Sequence, residues 1–266
     1  MHYWKDANRM RKLELFQSTT GYRYSIDSFI LVDFINPRNE DKIIDLGTGN
    51  GIVPLLLACK SPSKIIGLEI QASLLKHARH NILQRGLEKN ITLIQGDIRQ
   101  SQKIFKGHSF NIVVSNPPYR KLNSGRLNPN QEKAIARHEI LITLSELIDN
   151  AASLLCDKGR LVMIFVSERY NELLNEMKQK GLVSKKIRFV CSNSKSSPKM
   201  VLVESIKNGT GDPIVEDPMV IYDSNGNYSL EMKEIYDSFN NHWWTNSSRE
   251  IGKSHPARKE AEKRNN

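Results

Sequence analysis

From Lys42 onward, short runs of β-branched and apolar residues alternate with longer stretches in which apolar residues return every three to four positions. The runs read as strands at Lys42–Leu46, Lys64–Glu69, Ile91–Gln95, Phe110–Ser115, Arg160–Val166, Lys185–Val190 and Met200–Ser205. The periodic stretches read as helices at Ile52–Cys59, Ala72–Arg85, Ala134–Leu155 and Tyr170–Lys180. Strands separated by helices predict an α/β fold with a seven-stranded, mostly parallel sheet and helices on both faces. The last two strands are joined only through Cys191–Lys199, too short for the crossover a parallel pair needs, so the sheet closes with an antiparallel strand.

Around this core, Ser28–Ile35 reads as one apolar helix and Ile214–Tyr228 as an extended hairpin turning at Asn225-Gly226, residues that tolerate positive φ. Leu230–Trp244 reads as a helix with Met232, Ile235, Tyr236 and Phe239 on one face. From Thr245 the chain has six Lys/Arg against three Glu and almost no large apolar residue, a composition expected to stay disordered unless bound. The divisions are therefore 1–37, an N-terminal segment; 38–244, the α/β domain; and 245–266, a basic tail. No internal repeat is present.

Composition narrows the function only a little. At 39% hydrophobic and 26% charged, the 266 residues are those of a globular chain. No run reaches the ~18 apolar residues of a membrane helix, and MHYWKDANRMRKLELF lacks the apolar centre of a signal peptide, so the cytoplasm is the expected compartment. Cys59, Cys156 and Cys191 are odd in number, widely spaced and without a CxxC pair, which argues against a disulfide framework and against a metal site. The net charge of +10 favours an anionic partner, most often nucleic acid. Two basic groups stand out: the loop after Tyr119, with Arg120, Lys121, Arg126, Lys133 and Arg137, and a cluster of Lys185, Lys186, Arg188, Lys195 and Lys199. Each is a candidate phosphate contact or a solvated surface.

The chemistry concentrates at strand ends. The first strand runs into Asp45-Leu46-Gly47-Thr48-Gly49-Asn50-Gly51 and then an apolar helix. Glycines at such a turn let a ligand approach the backbone and aim amide N–H groups at it. Eighteen residues beyond Gly51 the second strand ends in Glu69, placed to accept hydrogen bonds from ribose hydroxyls. Dinucleotide enzymes space their glycines as Gly-x-Gly-x-x-Gly, whereas methyltransferases that use S-adenosylmethionine (SAM) carry Asp-x-Gly-x-Gly-x-Gly, the spacing found here. Asp45 would oppose a pyrophosphate but can meet the ammonium of a methionine moiety.

The fourth strand ends in Asn116-Pro117-Pro118-Tyr119. Successive prolines hold Asn116 extended and remove two backbone donors, so the loop presents acceptors. An adenine amine is a poor nucleophile; two carbonyl groups accepting its N–H bonds, from the Asn116 side chain and Pro117, leave its lone pair for attack. Tyr119 supplies a face on which an extruded base can stack.

With these motifs the chain resembles the amino-methylating, SAM-dependent methyltransferases with an Asn-Pro-Pro-Tyr signature. More closely, from Phe16 to Phe239, it resembles the tRNA1(Val) adenine-37 N6-methyltransferase family. The features that carry this are Gly21-Tyr22-Arg23-Tyr24-Ser25-Ile26-Asp27 ahead of an apolar helix, the lack of a large extra domain, and Asn227-Tyr228-Ser229 before a last helix. The resemblance implies a Rossmann-like methyltransferase fold, SAM as cofactor, and tRNA as partner, with no metal and no membrane. It implies catalytic roles for Asn116, Pro117, Pro118 and Tyr119. It implies cofactor contacts from Asp27, Asp45, Gly47, Gly49, Gly51, Glu69, Asp97, Ile98 and Asn116, with Asp97 on the adenine amine. For the substrate it implies Tyr119, Arg120, Lys121, Arg137, Lys195 and Lys199. Residues 1–37 would cover the cofactor pocket; Asp27 there reads equally as an N-cap of the following helix.

Methylation of a protein glutamine or of DNA adenine uses the same clamp. The first usually comes with a helical N-terminal domain, for which the ~40 residues before the first strand are too few. The second usually comes with a target-recognition domain, and none is evident. A non-catalytic RNA-binding protein would have no need of both intact motifs. Monomer and homodimer both remain open.

Overall fold

The computed structural model describes residues 26–105, 110–117 and 142–239. In chain order the elements are α1 (Asp27–Phe34), β1 (Lys42–Leu46), α2 (Ile52–Lys60), β2 (Lys64–Glu69), α3 (Ala72–Leu83), β3 (Ile91–Gln95), α4 (Ser101–Ile104) and β4 (Phe110–Ser115). They continue with α5 (Leu144–Leu154), β5 (Leu155–Val166), α6 (Tyr170–Gln179), β6 (Leu182–Cys191), β7 (Pro198–Lys207) and β8 (Ile214–Val220). A last helix, α7, covers 230–239. The strands form a single sheet in the order β3-β2-β1-β4-β5-β7-β6-β8. β1 pairs parallel with both β2 and β4, so strand order reverses between β1 and β4. β7 alone runs against its neighbours, β5 and β6.

Side chains alternate across the sheet and divide the core in two. Ile43, Ile112, Val114, Val162 and Ile164 face α1, α2 and α7, while Ile44, Val113, Leu161, Met163 and Phe165 face α5 and α6. Covering both faces is what permits continuous apolar runs in β1 and β4. Each fully buried Ile, Leu or Phe contributes roughly 1.5–3 kcal/mol. α7 joins the first layer through Met232, Ile235 and Phe239, all buried, with the rings of Tyr236 and Phe239 5.2 and 5.9 Å from Phe29. The apolar face read in the sequence is the face that packs.

Several boundaries differ from the sequence reading. The sheet has eight strands, not seven, because Ile214–Val220 leaves the expected hairpin and pairs parallel with β6. Only a small turn remains of that hairpin, closed by a Tyr222–Tyr228 bridge, with the amides of Asn225 and Asn227 donating to Asp223 Oδ1 at 2.9 Å. β5 begins at Leu155, directly from α5, with a bulge opposite Phe110–Ile112. α5 begins at Leu144, not Ala134, because Thr143 and Glu146 form a reciprocal capping box and Thr143 is extended. The earlier part of that expected helix lies outside the described residues.

Two cations hold the edge of the sheet where β1, β4 and β5 begin. Lys60 Nζ, at the end of α2, donates to the carbonyls of Val32, Asp33 and Ile35 and so caps α1. Arg160, at the level of Ile112 in β4, donates to Asn36 O at 2.8 Å and pairs with Glu204 at 3.0 Å and Asp41 at 3.4 Å. The C-terminal end of α1 is thereby fixed at this edge. Its first residue, Asp27, stands about 12 Å away at the other end of the helix. Among the described residues no helix is long and apolar enough to cross a membrane, and no group of three His, Cys, Asp or Glu could hold a metal ion.

Candidate active site

The turn after β1 is shaped by three glycines in the left-handed region: Gly47 (φ 80°), Gly49 (φ 56°) and Gly51 (φ 83°). An L-residue with a side chain is disfavoured at each by roughly 1–2 kcal/mol. Gly51 also packs on α3, where an added Cβ would stand 3.0 Å from Ala78 Cβ. Gly47 differs: an added Cβ there would meet nothing within 4 Å among the described residues, room that a ligand can fill.

Glu69 braces this turn. Its Oε2 accepts the Gly49 N–H and its Oε1 the Gln71 N–H, each at 2.9 Å. Burial raises its pKa, and these backbone donors oppose the rise. The Ile70 N–H bears on it as well, and of a carboxylate's about four acceptor positions at least one remains for a hydroxyl donor. The sequence reading assigned Glu69 to the ribose alone; its hold on the glycine turn was missed, since a turn twenty residues upstream carries no local signal.

Asp45 is 1% exposed, and its Oδ2 has no hydrogen-bond partner among the described residues. Burial pushes its pKa to about 7; the neighbouring Thr48 hydroxyl pulls it down and the Glu69 carboxylate adds to the rise. Both side-chain atoms of Asn50 are likewise buried without partners among the described residues, and Thr48 Oγ1 is buried beside Asp45 without a well-formed hydrogen bond of its own. Orphaned buried polar atoms carry a large penalty. Two buried carboxylates beside an unfilled set of donors and acceptors suit a polar, cationic ligand that also carries hydroxyls. An amino-acid-bearing nucleoside such as SAM meets that description. Thr48 and Asn50 escaped the sequence reading because they occupy the variable positions of the motif.

Beside this turn, Ser115 ends β4 and donates its hydroxyl to Leu46 O at 2.8 Å, joining the ends of β1 and β4. Asn116, half-buried, and Pro117, buried, follow immediately. The glycine turn and the Asn-Pro turn thus leave the same edge of the sheet from adjacent strands, at the point where strand order reverses. That crevice is where ligands bind in open α/β sheets.

The other expected residues sort as follows. Asp97 accepts from Arg99 N at 2.9 Å and pairs with the Arg99 guanidinium, which holds its carboxyl below the usual range; Ile98 opens the short turn that Asp97 caps. Both follow β3 on the site's edge. Asp27 is the first residue of α1, and the N-cap position belongs to Ile26, so the capping reading of Asp27 is replaced by a charge in the first turn. The five-residue basic cluster is not one surface. Lys185 donates to the carbonyls of Thr210 and Asp212, Lys186 pairs with Glu216 at 3.0 Å, and Arg188 pairs with Glu231 at 2.6 Å. Lys195 and Lys199 are exposed around the β6–β7 turn. Pro118, Tyr119, Arg120, Lys121 and Arg137 lie outside the described residues.

A cleft of about 530 Å³ at the opposite edge, lined by Arg38, Asp41, Lys158, Arg160 and Lys185 among others, is a different feature. Its Arg160 and Lys185 are held by the partners named above, and neither motif reaches it. The three cysteines are free, and burial pushes Cys59 up to about 12, away from thiolate chemistry.

A family model described as a methyltransferase domain matches residues 37–238. The chain is 31% identical over 244 residues to a tRNA1(Val) (adenine(37)-N6)-methyltransferase of Porphyromonas gingivalis, covering 88% of this chain and 94% of that protein. It is 25% identical to the protein of the same name from Tolumonas auensis, covering 86% and 94%. Among solved structures, a predicted O-methyltransferase of Agrobacterium tumefaciens superposes with a TM-score of 0.65 at 14% identity, covering 80% of this chain and 96% of that one, a likeness of fold.

Proposed function

This chain belongs to the tRNA1(Val) (adenine(37)-N6)-methyltransferase family, and from that premise we propose that it transfers the methyl group of SAM to the exocyclic N6 of adenine 37 in tRNA1(Val). The observation that carries this reading is the pairing of the two turns: the orphaned Asp45 Oδ2 and the buried Thr48 hydroxyl and Asn50 amide of Asp45–Gly51 stand beside Asn116-Pro117, tied strand to strand by Ser115. When bound, SAM supplies an electrophilic methyl on a sulfonium whose charge disappears on transfer. Asp45 receives the ammonium, Glu69 the ribose hydroxyls and Asp97 with Ile98 the adenine. The Asn116 side-chain oxygen and the Pro117 carbonyl accept the two N–H bonds of the target amine. This orients the nitrogen lone pair without a strong base. Tyr119 stacks on the extruded adenine, and Arg120, Lys121 and Arg137 meet the RNA backbone.

An anticodon-loop base is cheap to extrude, a few kcal/mol or less when unpaired, so no duplex has to be melted. Rate acceleration then comes mainly from positioning. Residues 38–244 form the catalytic unit, 1–37 cover the cofactor, and a tRNA substrate places the work in the cytoplasm.

The test is transfer of tritium from labelled SAM to RNA of cells lacking this gene, followed by nucleoside analysis. Label should appear in N6-methyladenosine at position 37, and Asn116→Ala should lower kcat by about 10²–10³-fold, the loss expected for one positioned polar group. Label confined to protein or DNA would overturn the substrate assignment.

A further inference from the structure

The β6–β7 turn stands on the same edge of the sheet as the two motif turns. β6 runs with β4 and β5, and the end of β5, Val166, pairs with Met200 at the start of β7. Ser115, at the end of β4, pairs with Met163 only three residues earlier. The turn therefore rises just beyond the level of Asn116. It is displaced sideways by two to three strand spacings, about 10–14 Å.

Its composition and geometry set it apart. Residues 192–199 read Ser-Asn-Ser-Lys-Ser-Ser-Pro-Lys, with four hydroxyls, two lysines and no acid. Asn193 fixes the backbone: its Oδ1 accepts the Lys195 N–H at 3.0 Å, and its carbonyl accepts the Ser196 hydroxyl at 2.9 Å. Asn193 N in turn donates to Ser196 Oγ at 3.1 Å. The base of the turn is fixed as well. Ser167 Oγ donates to Pro198 O at 2.5 Å and Tyr222 N to Ser192 O at 2.9 Å, from the ends of β5 and β8. Other bases of the cluster are consumed by Glu216, Glu231 and backbone carbonyls. A rigid, acid-free turn that shows lysine ammonium groups and hydroxyls to solvent matches the acceptor-only chemistry of a phosphodiester.

We propose that this turn is a phosphate-binding element for the tRNA strand that flanks the target adenine, with Lys195 and Lys199 meeting backbone phosphates and the serines supporting them. The inference rests on the tRNA methyltransferase reading and gives it an RNA-binding element that comes from a different part of the chain than the loop after Tyr119. Binding through it is independent of base identity and weakens with salt, because each neutralised phosphate releases a counterion.

The test compares wild-type protein, Lys195→Ala/Lys199→Ala and Lys42→Ala/Lys89→Ala. The last removes the same charge from exposed lysines where β1 and β3 begin, at the opposite edge. With in vitro transcribed tRNA and tritiated SAM, the Lys195/Lys199 variant should show about a tenfold higher KM for tRNA. Its slope of log Kd against log salt should fall by about 0.7 for each phosphate that is no longer neutralised, the value for single strands. Its Kd for SAM, read by calorimetry, reports that the fold is intact. The Lys42/Lys89 variant should match wild type. Equal KM and salt slope in wild type and the Lys195/Lys199 variant would overturn the proposal, as would equal losses in both variants, which would make net charge the cause. If wild-type protein methylates no tRNA, the underlying reading fails and the inference with it; methylation by wild type with an unchanged variant sinks this inference alone.

Discussion

Replacing Asp45 with Asn should make the protein without cofactor more stable and the protein with cofactor weaker. Burial raises the Asp45 pKa from 3.8 to about 7. A rise of about 3 units corresponds to roughly 4 kcal/mol at 1.36 kcal/mol per unit. The sign follows from proton uptake: between pH 3.8 and 7 the folded chain holds a proton that the unfolded chain has lost. Stability from this group is full below pH 3.8, declines as pH rises towards 7 and is absent above it. At pH 8 the wild type carries the whole cost of an ionised, buried carboxylate whose Oδ2 has no partner among the described residues. Asparagine cannot ionise, but its buried amide keeps part of the desolvation cost, so a gain of about 1–3 kcal/mol is expected. In a chain of this size that raises Tm by roughly 3–10 °C. The same change removes the anion proposed to receive the ammonium, a charge-assisted bond worth about 1.5–3 kcal/mol, or about 10–150-fold in affinity. Thermal unfolding at pH 5 to 8, with and without S-adenosylhomocysteine, together with calorimetric titration, reads both effects. The variant's advantage should vanish by pH 5 and reverse when ligand saturates the wild type. Wild-type affinity should itself fall as pH drops below 7. A variant less stable than wild type at pH 8, or one that binds S-adenosylhomocysteine with unchanged affinity, would refute the reasoning.

Gly51→Ala combines a φ of 83° with a Cβ 3.0 Å from Ala78; a loss of about 1–3 kcal/mol in urea unfolding is expected, with reduced cofactor affinity. Glu69→Gln keeps an acceptor but loses the charge facing two backbone N–H groups, and KM for SAM should rise at least tenfold, read in steady-state assays. Ser115→Ala removes the buried bond to Leu46 O and should cost about 1 kcal/mol, with a rise in KM for both substrates as the two turns loosen. Phe239→Ala empties the space against Phe29 and should cost about 3–5 kcal/mol in chemical unfolding, leaving the site residues in place.

The strands that position the site were legible because they are short. Lys42–Leu46, Lys64–Glu69, Ile91–Gln95 and Phe110–Ser115 hold their sequence-read bounds, as buried parallel strands must be apolar and their ends are marked by glycine (Gly47, Gly96), by a polar residue (Glu69) or by the Asn116-Pro117 turn. Asp45, the glycines and Glu69 were legible as spacing. What escaped was long-range pairing. β8 carries Pro218 and exposed Ile214 and Val215, marks of an edge, and its partner β6 lies some thirty residues earlier in the chain. The basic cluster misled for the same reason: Lys186 and Arg188 look free in the sequence, but Glu216 and Glu231 neutralise them from distant elements. The hydroxyl of Ser115 could be read as a strand residue, but not as the tie between two motif turns.

The reversed direction of β7 separates two kinds of inheritance within one sheet. A parallel strand such as β2 is entered from a helix at the far edge, whereas β7 is entered through a tight turn at the reacting edge, with only a few residues between Cys191 and Pro198. Those residues share no position with Asp45–Gly51, Glu69 or Asn116-Pro117. Exchange of the turn for one of another length or charge therefore leaves the cofactor strands untouched, and makes it a graft site at which the scaffold can be given a different polymer to act on.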